Sequence, residues 1–147
     1  MVSKNPLFFA FFLPALTDGV VTLLGQGSQY WNVNRTINEA SPAYYFLLVS
    51  PWLFLFGSII WFIFWYCLIR CLKEPYNLFL MFLFLVGHSW GSSSWIMKLL
   101  KDNNFYTLNN QPSIIFSWSL IIFYFALISI IAASCLRIYL RLKPKSL

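Results

Sequence analysis

The sequence predicts an all-α integral membrane protein: four transmembrane helices in a compact antiparallel bundle, N-in and C-in. Three observations predict it. Apolar residues gather in four runs of bilayer length, at about 7–27, 44–69, 76–100 and 113–136. The 147 residues are 60% hydrophobic and 10% charged, with a mean hydropathy of +0.71, well outside the range of ordinary soluble domains. The basic residues border those runs unevenly. Lys4, Arg70, Lys73, Arg137, Arg141, Lys143 and Lys145 fall on one predicted face, and Arg35, Lys98 and Lys101 on the other. Cytoplasmic loops collect Lys and Arg, so seven against three sets the orientation. The same placement ties the net charge of +6 to lipid headgroups and argues against a nucleic-acid partner. Short connections make consecutive helices antiparallel neighbours within a single domain, residues 1–147.

The first run begins at Leu7 and carries Pro14, which lacks an amide hydrogen. It continues through Asp18 to Leu24 with no small-x-small cleavage site, so the reading is a retained anchor and not a cleaved signal. Gly25 to Pro42 is the longest polar connection, with Tyr30 and Trp31 as interfacial anchors. Asn34-Arg35-Thr36 within it has the spacing of a glycosylation acceptor, relevant in a secretory pathway. The second run holds Trp52, Trp61 and Trp65; Tyr44, Tyr45 and Phe46 either begin it or lie at the interface before Pro51. Arg70, Lys73, Glu74 and Pro75 form the turn into the third run. The asparagine-rich KDNNFYTLNNQ follows that run, and the fourth leads to a basic tail. Cys67, Cys71 and Cys135 lie near membrane ends on one side and read as free thiols, since CLIRC has no metal or redox spacing.

Polar residues inside the apolar runs are the candidate site. Lipid tails offer no hydrogen bonds, so such groups must face another helix, a cavity or a ligand. Asp18, Thr22, Gly25 and Gln29 recur along one face of the first helix, with Gln26 beside them. In the third run, GHSWGSSSW brings the only histidine, His88, together with Ser92 and small residues that allow close helix approach. The first and third helices are expected to be parallel, with Asp18 and His88 at similar depth. A carboxylate–imidazole pair would then satisfy both groups, with Thr22, Gln26, Ser92 and Ser93 above it and Glu39 reaching in from the loop. Asp18, His88 and Glu39 carry atoms suited to a metal ion, yet their spacing matches no metal signature. Ser89 or Ser92 beside His88 suggests a hydrolase, but the nucleophile elbow such enzymes use is missing.

Asp18-x-x-x-Thr22, then Gly25 and Gly27, then Glu39-Ala-Ser-Pro42, resemble a pattern in small prokaryotic multi-helix membrane proteins of unknown function. Their first helix carries Asp-x-x-x-Thr and the next begins after Glu-x-Asn-Pro; Ser41 stands here where that pattern has Asn. The resemblance covers about residues 18–42 and implies roles for Asp18 and Glu39. The leading functional expectation is a small non-enzymatic accessory or structural subunit of a larger membrane complex, with membrane proteins and lipids as partners and no cofactor. The alternative is a small-molecule, lipid or ion-binding, transporter-like protein that uses an Asp18–His88 cleft. The expected setting is an inner or plasma membrane, or else an organellar one.

Overall fold

A computed structural model describes residues 2–32, 36–39 and 41–142. Asn34 and Arg35 of the glycosylation acceptor, and Lys143 and Lys145 of the basic tail, lie outside the described residues. After a short 3-10 turn at Val2–Lys4, the described elements are α1 (Pro6–Leu24), α2 (Ser28–Trp31), α3 (Ala43–Val49), α4 (Pro51–Cys71), α5 (Tyr76–Asp102) and α6 (Gln111–Leu142).

Local chemistry sets the helix ends. Asn5 starts α1: its Oδ1 accepts from the Phe8 amide at 3.4 Å, and Pro6 fills a first-turn position that needs no amide donor. The Asn5 side-chain amide also donates to the Tyr66 carbonyl at 2.7 Å, joining the start of α1 to the end of α4. Pro14 stays inside a continuous α1 and is buried. Ser50 separates α3 from α4. Its backbone is extended, as the residue before a proline prefers, and its hydroxyl accepts from the Leu53 amide at 3.0 Å. The second apolar run is therefore two helices, and only Pro51–Cys71 has membrane length. The Tyr30 hydroxyl donates to the Leu47 carbonyl at 3.1 Å, and Tyr30, Leu47 and Phe54 form a small core that folds α3 back on α4.

α1 is the central helix. In its apolar window 44% of residues are buried inside the protein, against 11% in α4 and 17% in α6. Leu7, Phe8, Phe11 and Ala15 of α1 form the main core with Ile69, Met81 and Cys135. Ring contacts give the directions. Phe8 meets Tyr66 and Phe12 meets Phe62, so α4 runs antiparallel to α1. Phe11 meets Phe84, and Asp18 meets His88 further along, so α5 runs parallel to α1. Tyr139 bonds Asn77 and Tyr124 bonds Ser92, which makes α6 antiparallel to α5.

Three helices, α1, α4 and α6, are long and apolar enough to cross a membrane, which corrects the expectation of four spans. The third run does fold as one helix, the 27-residue α5. Its second half, however, carries Gly87–Trp95 with its serines, then Lys98, Lys101 and Asp102, and this dilutes its apolar character. The N-in, C-in topology depended on four crossings and falls with them. The chain is an all-α, multi-pass integral membrane protein. Its outward surface fits that setting: Phe56, Ile63, Phe64, Ile122, Phe123 and Ile130 are all exposed on α4 and α6.

Candidate functional site

Asp18 and His88 are brought together where α1 crosses α5. His88 Nδ1 lies 2.8 Å from Asp18 Oδ2, and the two side chains are only 26% and 22% exposed. With Asp18 ionised, Nδ1 must carry the hydrogen, because a carboxylate can only accept. Nε2 is then the ring's second polar atom, and it has no hydrogen-bond partner among the described residues. The imidazole is fixed from its faces as well. Trp61 meets it edge-on at 5.1 Å between centroids, and Phe84 stacks at 6.1 Å. Gly91 supplies the space for the carboxylate: a Cβ there would lie 2.7 Å from Asp18 Oδ1 and 2.9 Å from Oδ2.

The pair lines a cleft of about 700 Å³ between α1, α4 and α5. At the end where α1 finishes, Glu39, Ser41, Pro42, Ala43 and Phe46 complete its wall. The other sequence candidates divide around it. Thr22 and Glu39 line the cleft, and Glu39 Oε1 accepts from the Ser41 amide at 2.8 Å. Gln26 is buried behind the cleft and serves as a tether. Its Oε1 accepts from the Asn38 amide at 2.9 Å, while its Nε2 donates to the Thr22 carbonyl at 3.0 Å. That tether holds the Glu39 segment over the end of α1. Ser92 is also outside the cleft, fully buried; its hydroxyl lies 2.6 Å from the His88 carbonyl and 2.7 Å from the Tyr124 hydroxyl.

Those serine bonds bear on chemistry. The Ser89 hydroxyl donates to the Leu85 carbonyl at 2.5 Å, and the Ser92 hydroxyl is engaged as above, so neither is bonded to the imidazole as a nucleophile would be. Among the described residues no group of three His, Cys, Asp or Glu side chains could hold a metal ion, and Glu39 does not complete a set with Asp18 and His88. Sequence reasoning gave no site role to Trp61, Phe84 or Tyr124, whose importance comes from contacts across helices. Gly91 carried a signal, as a small residue one turn from the histidine, although its reading was helix packing. Compared with protein-family models, curated proteins and solved structures, the chain matches none.

Proposed function

We propose that this protein binds an amphipathic small molecule or lipid within the membrane. The apolar body of the ligand lies among the cleft's aromatic and aliphatic side chains, and its polar group meets Asp18 and His88. The supporting observation is that the Asp18–His88 pair forms part of the wall of a cleft of about 700 Å³. Small-molecule sites are typically ~300–1,000 Å³, mostly apolar, with a few placed polar groups. Here α1 supplies the acid, α5 the imidazole, and α1, α3, α4 and α5 share the apolar wall. The pair is oriented before any ligand arrives, because Trp61, Phe84 and the Gly91 gap hold both partners. The reading is one of binding and not catalysis, since the serines near His88 are bonded elsewhere. The all-helical described chain suits an inner or plasma membrane.

The accessory-subunit reading draws on the wide apolar faces of α4 and α6, but bilayer lipid covers such faces equally well. The cleft therefore favours the binding reading. Native mass spectrometry after purification in mild detergent tests it. The expected spectrum of the wild-type protein includes a retained small molecule. Gly87→Phe should lose that mass while keeping its helical content, because a Cβ on Gly87 meets no atom within 4 Å and the ring can grow into the cleft. A stoichiometric heteromeric complex, with no retained small molecule in the wild type, would overturn the reading.

A further inference from the structure

The distribution of charge says more about the ligand than the volume of the cleft does. The chain has four Asp and Glu residues, and two of them, Asp18 and Glu39, line this one cleft. No Lys or Arg among the described residues lines it. Lys98, three residues beyond Trp95 of the cleft wall, is already engaged: its Nζ donates to the Gly25 carbonyl at 2.9 Å and to Asp102 at 2.7 Å. Its nitrogen also sits 5.5 Å from the ring centroid of Trp95, a residue of the cleft wall, so one aromatic of this site already attracts a cation. Trp61, Phe54 and Phe84 are further aromatic residues of the wall, Trp61 and Phe84 against the His88 ring that pairs with Asp18.

A site with two carboxylates, aromatic rings and a single imidazole, lined by no Lys or Arg among the described residues, is complementary to positive charge when that imidazole is neutral. A neutral His88 donating through Nδ1 leaves the negative charge of Asp18 in place, in surroundings of low dielectric where an incoming cation feels it strongly. An anionic headgroup would meet two carboxylates with no Lys or Arg among the described residues of the wall to offset them. A metal ion fits poorly, since no group of three His, Cys, Asp or Glu side chains gathers there among the described residues. From this we infer that the ligand is an organic cation, a protonated amine or quaternary ammonium on an apolar body. The head lies by Asp18 against the aromatic wall, and Glu39 adds a second negative charge at the cleft end. This rests on the binding reading above and specifies its ligand class.

The test uses the full chain in nanodiscs of zwitterionic lipid and two matched probes. One is a radiolabelled phenylalkyl trimethylammonium, and the other is its neutral analogue with a tert-butyl head. The expected result is about tenfold tighter binding of the cation, the size of a cation–π and carboxylate contribution of ~1.4 kcal/mol. Asp18→Asn should erase that preference, Glu39→Gln should reduce it about two- to threefold, and Gly87→Phe should abolish binding of both probes. Circular dichroism and thermal unfolding show that each variant is folded, and Glu39→Gln, at a partly exposed loop position, serves if Asp18→Asn is not. Equal binding of the two probes, with loss of both in Gly87→Phe, overturns the cation assignment and leaves the cleft as a binding site. Undiminished cation preference in both Asp18→Asn and Glu39→Gln also overturns it. If neither probe binds the wild-type protein, the cation assignment and the binding reading fail together.

Discussion

Gly91 has no side chain because a carboxylate occupies the space one would take. Adding even a methyl group would bring carbon within 2.7 Å of Asp18 Oδ1, so the carboxylate or the helix must move. Gly87, one turn earlier, meets nothing within 4 Å. Gly91→Ala is therefore expected to destabilise the protein by about 1–3 kcal/mol, whereas Gly87→Ala should lie within about 0.5 kcal/mol of wild type; thermal unfolding in matched detergent measures both. The pair itself is open to a double-mutant cycle. Asp18→Asn keeps the shape and removes the charge, while His88→Ala leaves the acid without its donor. The double substitution should cost less than the sum of the singles, with a coupling of about 1–3 kcal/mol. Strict additivity would show that the two side chains are not one unit. Ser119→Ala, at an exposed position on α6 away from the pair, is the control and should be mild.

At the scale of elements, the junction of α1 with α5 depends on the last turn of α1. Gly25 ends that helix under the Trp95 ring, and Lys98 Nζ caps its carbonyl at 2.9 Å. Lys98→Met should cost about 0.3–1 kcal/mol, the usual range for a cation at a helix C-terminus. Gly25→Ala should cost more, because its Cβ would overlap Trp95 and come within 2.9 Å of the Val21 carbonyl. Hydrogen exchange at Gly25 and Gln26, whose amides close that turn, reports both changes. If both leave exchange there unaltered, this junction is not what holds the end of α1. The break at Ser50 shows where sequence reading lost detail. Tyr44 to Cys71 is apolar almost throughout, so hydropathy merges α3 and α4, whereas Ser50 capping Leu53 ahead of Pro51 divides them. The apolar runs that became α1 and α6 were legible because each stays apolar enough over membrane length, even with Asp18 inside the first and serines inside the last. α5 was legible as a helix but misread as a fourth span. Its serines fold back onto the carbonyls of Leu85, His88 and Trp90, which satisfies them in a helix without making that helix apolar.

For the molecule as a whole, α1 is the most buried of the three membrane-length helices, the cleft beside it opens at a surface that includes exposed Leu16, Val20, Leu55 and Leu83, and α4 and α6 carry a wide apolar outer face. In a cysteine-free background, Phe123→Cys in membranes should resist a water-soluble maleimide and react only after detergent unfolding. Asn103→Cys, in the exposed α5–α6 connection, should react at once. Rapid labelling of Phe123→Cys would place α6 outside the bilayer. The nature of Asp18 and His88 as candidates was legible in the sequence, as a lone acid and a lone imidazole in apolar runs. Equal depth on parallel helices suggested a meeting, but the contact at 2.8 Å is a property of the packed structure. Trp61, Phe84 and the cleft were not legible, since they depend on how α4 leans on α1 and α5. The chain's single histidine allows a direct measurement, because selective ¹⁵N-histidine labelling yields the spectrum of His88 alone. With Nδ1–H held by Asp18 and Nε2 available to the cleft, the wild-type protein should show one fixed Nδ1–H tautomer. Asp18→Asn should release it into a tautomer mixture, and Gly87→Phe should move mainly the Nε2 resonance. An imidazole spectrum that is the same in wild type, Asp18→Asn and Gly87→Phe would contradict both the pair and its place in the cleft.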